Sequence, residues 1–289
     1  MLIITGCASS NVPQKKGSLT DLIKAGEIVF FQDMTFDEDI DFTQFEKNLI
    51  SENVQQVRIS SPITFKNCTF NGKVTAYRKD QDNSVILTNF TGNLSFFGCV
   101  FKNDVSFRGA SVYGRTDFTE ALFLKTASFE ECTFFQNAYF RASAFHEELR
   151  FQNAVFMQKA NFLNAQFDVT ASFQLAAFHS EAQFSSTKFM GYADFGLITC
   201  QGNFFANYAG FANQAIFNNG CYYGQVDLLN ISFRKCEMKN CKFFGNIRML
   251  NSTAADVLEL DNSFFLFGKP DLSSFDQSRL SIQGIKTLE

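Results

Sequence analysis

The chain has no Trp, two His and three Pro in 289 residues, and none of its eight Cys forms a CxxC pair. Each scarcity excludes something. Without Trp, a sugar-stacking surface lacks its largest ring. Two His leave little material for a metal centre or a histidine base. Three Pro and 17 scattered Gly exclude a collagen-like or proline-rich chain. Without CxxC there is no zinc-ribbon or thioredoxin-like spacing. No uncharged apolar run approaches the ~18 residues of a membrane-spanning helix. Charged residues make up 19% and the net charge is −4, so nothing electrostatic draws nucleic acid. At 46% apolar the chain is too hydrophobic for disorder. P-loop, dinucleotide and serine-nucleophile fingerprints are all missing, and neither an enzyme nor a cofactor is expected.

What is abundant is Phe, with 39 copies. Between Phe90 and Phe195 the Phe positions advance by six and five residues in strict alternation, and 19 of the 20 slots are Phe, the exception being Val112. The residue two before each slot is Ala in 11 cases and Ser, Thr or Cys in six; only Leu94, Val105 and Leu149 are larger. Residues two apart on a strand share a face. A small residue and a Phe therefore enter the interior together, and the chain then turns. Steps of five and six match neither a helix nor a long alternating strand. They fit a solenoid of short sides. Stacked sides must match in length, so the coil has two or four sides. Two sides make a coil too thin to shelter phenyl rings, and four give a 22-residue coil.

Runs such as Ala160-Asn161-Phe162-Leu163-Asn164-Ala165-Gln166-Phe167 and Ala171-Ser172-Phe173-Gln174-Leu175-Ala176-Ala177-Phe178 resemble the pentapeptide-repeat family, in a Phe-rich variety with a sixth residue in alternate units. The resemblance is strong over 90–195 and weaker over about 60–265. It implies an all-β fold, a right-handed four-sided (quadrilateral) β-helix solenoid with capping segments.

Outside the regular stretch the pattern loosens. Downstream, the inward series reads Cys200, Phe205, Phe211, Phe217, Tyr222, Leu228, Phe233, Met238, Phe243, Met249, Leu260 and Phe265. Upstream, Ile59, Phe65 and Phe70 fit, as do Phe31, Phe36 and Phe42, and Arg78 to Ser84 reads as a polar loop. Ser18 or Thr20 caps a short helix carrying Leu22 and Ile23, with Gly26 ending it. The expected organisation is 1–17 a lipobox-like start and tether, 18–58 an N-terminal cap and first irregular coil, 59–269 the repeat β-helix, and 270–289 a C-terminal cap or oligomer contact.

Candidate chemistry is sparse. His146 and His179 lie one and a half coils apart, on opposite sides of a four-sided rod, and cannot share a metal or a catalytic site. Glu147 and Glu148 beside His146 read as a solvated corner. Cys68, Cys99, Cys132, Cys236 and Cys241 stand two before inward apolar residues and Cys200 takes a Phe slot, so these thiols act as small hydrophobes. A Cys236–Cys241 disulfide is the minor alternative. No catalytic, metal or cofactor-binding residue is assigned. Ile4-Thr5-Gly6-Cys7, followed by Ala8-Ser9-Ser10, resembles the lipobox of bacterial lipoproteins. That resemblance implies a lipid-bearing Cys7 and a cell-envelope location if the true start lies upstream of Met1, and a cytoplasmic one otherwise.

The expected function is a non-catalytic scaffold for an unknown protein partner. No nucleic acid is expected, membrane contact runs only through Cys7, and the rod is a monomer or an end-to-end dimer. Two alternatives stand beside it. Some members of the pentapeptide-repeat family resemble duplex DNA and inhibit a type II topoisomerase (gyrase), but 10 acidic against eight basic residues over 90–195 make a poor negative face. A carbohydrate-binding or carbohydrate-active β-helix would draw on Tyr77, Tyr113, Tyr139, Tyr192, Tyr208, Tyr222 and Tyr223. The acidic patch at Asp33, Asp37, Glu38, Asp39 and Asp41 lies near one end of the rod.

Overall fold

The computed structural model describes residues 17–288. Cys7 and all of the expected start and tether except Gly17 therefore lie outside the described residues. A one-and-a-half-turn helix, Leu19–Lys24, comes first. Ser18 Oγ accepts the Asp21 amide at 3.2 Å, Leu22 and Ile23 are buried, and Gly26 leaves the helix at φ +67°.

From Val29 onward the chain winds into stacked coils. Each regular coil has four short strands, for example Thr116–Asp117, Leu122–Phe123, Ala127–Ser128 and Thr133–Phe134, which start the first to fourth faces. Every strand pairs in parallel with the one a coil away: Ala138 with Ala160, Ala144 with Gln166, Leu149 with Ala171 and Phe134 with Phe156. All four pairings share one offset, and it equals the coil length expected for four sides. Ten strands stack on the first face, and nine intervals at strand spacing make a ladder of about 43 Å.

Both inward positions of every regular side are buried. All 20 slots from Phe90 to Phe195, and the residue two before each, are at most 2% exposed. The rings stack in columns along the axis. In the first column Phe118, Phe140, Phe162 and Phe184 follow one another at 5.3, 5.0 and 4.8 Å, within 7° of parallel. The third column runs Phe129, Phe151, Phe173 and Phe195 at 4.8, 5.3 and 4.9 Å. The two columns interlock edge to face, as at Phe140–Phe151 (5.2 Å, 85°) and Phe162–Phe173 (5.3 Å, 84°). Offset stacks and edge-to-face pairs are the arrangements that the ring quadrupole favours.

The alternation of five and six comes from two kinds of corner. After first- and third-face slots the chain closes a hydrogen-bonded turn, such as Ala121 N to Phe118 O at 3.1 Å and Ala165 N to Phe162 O at 3.0 Å. The third residue of that turn has positive φ at Glu120, Glu131, Ala142, Asn153, Asn164, Leu175, Ser186, Leu197 and Tyr208, twice in every coil. This is type II turn geometry. The tight turn makes the shorter step, and the open corner on the other two sides takes one residue more. Where coils press closest, glycine is required: a Cβ on Gly245 would lie 2.0 Å from Gly224 O.

One inward assignment is overturned. Phe205 points outward. The ladder sets Phe204 on Ala182 and Phe205 on Gln183, so Phe204 takes the small-residue position and Ala206 the ring position. The pair exchanges volumes, and the interior stays filled. Further on, the second-to-third-face corner at Phe233 to Cys236 loses one residue against Phe211 to Ala215, which shortens the ladder offset by one, as from Tyr222 to Phe243.

The N-terminal coils are longer, with Val29 on Ile63 and Ile63 on Leu94. The extra chain forms two antiparallel hairpins. Lys47–Ser51 pairs with Val54–Ile59, and Tyr77–Lys79 folds back on Val85–Phe90 around the polar loop. At the other end Leu280–Ser281 stacks on Leu258–Glu259 and Lys286–Thr287 on Phe264–Phe265, so the segment after Pro270 extends the ladder.

Paired melts test this architecture. Phe162→Ala removes a ring stacked on both sides and should cost about 3–5 kcal/mol. Leu197→Asn should stabilise by about 0.5–1 kcal/mol, because a half-exposed Leu at φ +60° carries left-handed strain that Asn tolerates. No loss from the first, or a loss from the second, contradicts the inward rings or the left-handed corners respectively.

Candidate functional site

With the Phe rings committed to the interior, any function must use the outward positions: the middle of each strand and the residue just after each slot. On the fourth face these form two columns. The strand-centre column runs Ser111, Thr133, Val155, Ala177 and Thr199. The column beside it runs Tyr113, Phe135, Met157, His179, Gln201 and Tyr223. Between Ser111 and Tyr223 neither contains a Lys, Arg, Asp or Glu; the strand-centre column meets charge toward its ends, at Arg58, Lys242 and Lys286. Tyr113 stacks on Phe135 at 4.3 Å and Tyr223 on Phe244 at 5.1 Å. Tyr113, Met157 and Tyr223 are exposed, and the corner residues Leu175 and Leu197 add apolar surface along the same edge. This face is the candidate interaction surface. Reading the sequence at one-coil intervals after each fourth-face Phe would have found it; scanning for tyrosines alone did not.

The other faces carry charge, and most of it is paired. Arg108 meets Glu131 at 2.9 Å, Arg115 meets Asp117 at 2.8 Å and Lys159 meets Glu181 at 2.7 Å. Arg150 pairs with Glu148, and Lys125 lies 3.8 Å from Glu147. The two glutamates beside His146 thus sit at an ion-paired corner. His146 Nδ1 bonds Asp168 one coil up, and His179 Nδ1 lies 3.0 Å from Gln201. The two histidines occupy the second and fourth faces and do not meet. Burial pushes the Asp168 carboxyl up, but the Gln166 amide and His146 bring it below its ordinary value.

The expected sugar-stacking tyrosines are dispersed. Tyr222 is buried in the fourth ring column. Tyr139 lies under the Arg115 guanidinium at 4.4 Å and Tyr77 under Arg108 at 5.5 Å. Tyr113 and Tyr223 each have one ring face taken by a neighbouring Phe. The acidic patch is bonded into the fold. Asp39 Oδ1 accepts the Lys73 amide at 2.7 Å, Asp41 Oδ1 accepts the Thr43 amide at 2.7 Å, and Asp33 accepts from the Asn67 side chain at 3.2 Å.

Three polar residues in the small slots are satisfied by carbonyls of the coil, whereas the buried hydroxyls of Thr88 and Thr116 have no partner. Ser143 Oγ donates to Phe140 O and Thr187 Oγ1 to Phe184 O, both at 2.6 Å, and Cys132 Sγ donates to Phe107 O at 2.7 Å. Burial raises the Cys200 and Cys241 thiols to about 12 and pushes Cys132 and Cys236 well above their ordinary value, so these thiols are poor nucleophiles in the folded chain. Cys236 and Cys241 are both free. Among the described residues no three metal-binding side chains cluster.

On the third face toward the C-terminus a charged network crosses the coils. Glu237 accepts from Lys235 and Gln214 at 2.7 and 2.6 Å and from Asn218 at 3.0 Å, and Lys239 bridges it to Glu259. Burial pushes the Glu237 carboxyl up, yet Lys235 and Asn218 hold it down, from an ordinary 4.5 to about 2.

Residues 87–133 and 129–176 match the family model described as pentapeptide repeats (9 copies). No curated protein matches the chain in sequence. Among solved structures, a trypsin-treated form of QnrB1, described as a plasmid-mediated fluoroquinolone resistance protein, aligns with 90% of this chain and 92% of that one at 14% identity and a TM-score of 0.23. At that score the likeness carries no argument.

The Glu237 network generates a pH prediction. A carboxyl whose folded value lies below its ordinary one contributes stability above pH 4.5 that is lost as pH falls toward 2. The melting temperature of the wild type should therefore drop more steeply across that window than that of Glu237→Gln. Parallel profiles would show that the network does not stabilise the fold.

Proposed function

The chain carries pentapeptide repeats, and from that premise we propose that it is a non-catalytic scaffold that binds a protein partner along its fourth face, tethered to the cell envelope through a lipid on Cys7. One observation carries the binding reading: the fourth face pairs exposed Tyr113, Met157 and Tyr223 with an uncharged strand centre, while the charged faces are occupied by ion pairs between and within coils. Uncharged apolar surface with aromatic and Met residues is the composition enriched at the centres of protein interfaces. A rigid ladder also loses little side-chain or backbone freedom on binding, which lowers the cost of association. The tether reading rests on Ile4-Thr5-Gly6-Cys7 and the polar segment that follows.

Two measurements check these readings separately. A photo-crosslinking residue at Met157 should yield a discrete adduct in native cells, whereas the same residue at Met190, its exposed counterpart on the second face, should not. Equal labelling from both positions, or none from either, removes the fourth-face assignment. Intact mass of protein from the membrane fraction should show a lipid increment on Cys7, and an unmodified Cys7 there ends the anchor.

A further inference from the structure

Seven cysteines lie among the described residues, and all are free thiols. Six-and-five spacing alone does not reveal which of them meet, because coils of unequal length separate them. The ladder does. Val100 sits on Thr69 and Phe101 on Phe70, so Cys99 lies directly over Cys68 on the second face. Val100 N donates to Cys68 O at 2.9 Å, which locks that register. No other two described cysteines share a register: Cys132 lies between alanines, Cys200 between Phe178 and Tyr222, and Cys236 between Ala215 and Leu258.

Both side chains point inward and are 0% exposed. Neighbouring parallel strands stand about 4.8 Å apart, inside the ~4.4–6.8 Å window of Cα separations that a disulfide spans. Both thiols therefore enter the core at adjacent levels of one column. They are also held from the sides: Cys68 Sγ donates toward Lys66 O at 3.4 Å and Phe31 O at 3.5 Å, and Cys99 Sγ toward Phe65 O at 3.5 Å. Below Cys68 the column ends at Met34, which is partly exposed, so the pair lies one layer beneath the open end of the rod.

We propose that Cys68 and Cys99 are a redox-sensitive pair that closes to a disulfide and staples the long coil beginning at Ile63 to the first regular coil above it. The oxidant is a small-molecule disulfide acting by thiol–disulfide exchange. The Cys68 thiolate attacks one sulfur of that disulfide, breaking its S–S bond and expelling one thiol. Cys99, as thiolate, then attacks the Cys68 sulfur of the mixed disulfide, forming the Cys68–Cys99 bond and expelling the second thiol. Two protein S–H bonds are lost, one S–S bond is gained, and both protons and both electrons end on the two released thiols. Cys68 is the better first nucleophile, since its neighbour Cys99 holds it below its ordinary value against the effect of burial, whereas Cys68 and burial push Cys99 well up, so Cys99 ionises only once the coils open. Because both sulfurs are shielded in the folded chain, exchange runs during folding or when the coils near Met34 open.

The loop so closed contains the Tyr77–Lys79 and Val85–Phe90 hairpin, one of the two hairpin insertions in the rod. Constraining it restricts the unfolded chain most where the repeat pattern is weakest. The inference does not depend on the partner-binding reading.

The test is to refold the full chain in oxidised or reduced glutathione and map peptides without reduction. The expected result is a crosslinked peptide containing residues 68 and 99 after oxidation, and a higher urea midpoint for the oxidised chain than for the reduced one. Cys68→Ala and Cys99→Ala should each abolish the crosslink and the redox dependence while leaving the reduced midpoint near wild type, since Ala121 fills the same column one coil up. Failure to form that peptide, glutathione adducts alone, or redox-dependent stability that survives in both variants would overturn the proposal.

Discussion

The structure rests on the match between two lengths. Parallel strands repeat at about 4.8 Å, and phenyl rings here stack face to face at 4.5 to 5.7 Å. A ring held on each strand can therefore contact its copy above and below without tilting the ladder. The tight corners, the small residue beside each ring and the four-sided cross-section all serve to bring one ring per side to the same height. Since each coil touches only its neighbours, stability accumulates along the rod rather than through one central core.

The interior was legible in the sequence because it is periodic. Spacing alone yields the coil length, the number of sides and the identity of nearly every buried residue from Phe90 to Phe195. It failed at Phe204–Phe205, where a run of two aromatics offers two candidates and only the ladder decides between them. It also passed over the corners. Left-handed residues recur at every half coil, and several of them are Asn or Gly (Gly98, Gly109, Asn153, Asn164, Asn219), which is a signal a reader could use. Leu175, Leu197 and Tyr208 hide it, because nothing about those residue types suggests positive φ.

The candidate face was less legible for a physical reason. An interior column needs the same side chain at every level, since each copy packs on the last. An outward column is free to vary, and Ser, Tyr, Phe, Met, His and Gln alternate along the fourth face without a recurring letter. What unites them is the absence of formal charge, which appears only once the chain is folded and residues a full coil apart are placed side by side. The thiol pair follows the same logic: Cys68 and Cys99 are further apart in sequence than a regular coil is long, and only the longer N-terminal coil makes them neighbours.

The tight corners, two to a coil, make each coil two near-identical halves. Backbone and core on the first and third faces follow the same plan, as do those on the second and fourth. Turned half a revolution about its axis and advanced half a coil, the rod nearly superimposes on itself. A molecule that felt only its shape would find two equivalent berths. Orientation is therefore written solely in the outward side chains, much as a blank key is symmetric until its teeth are cut.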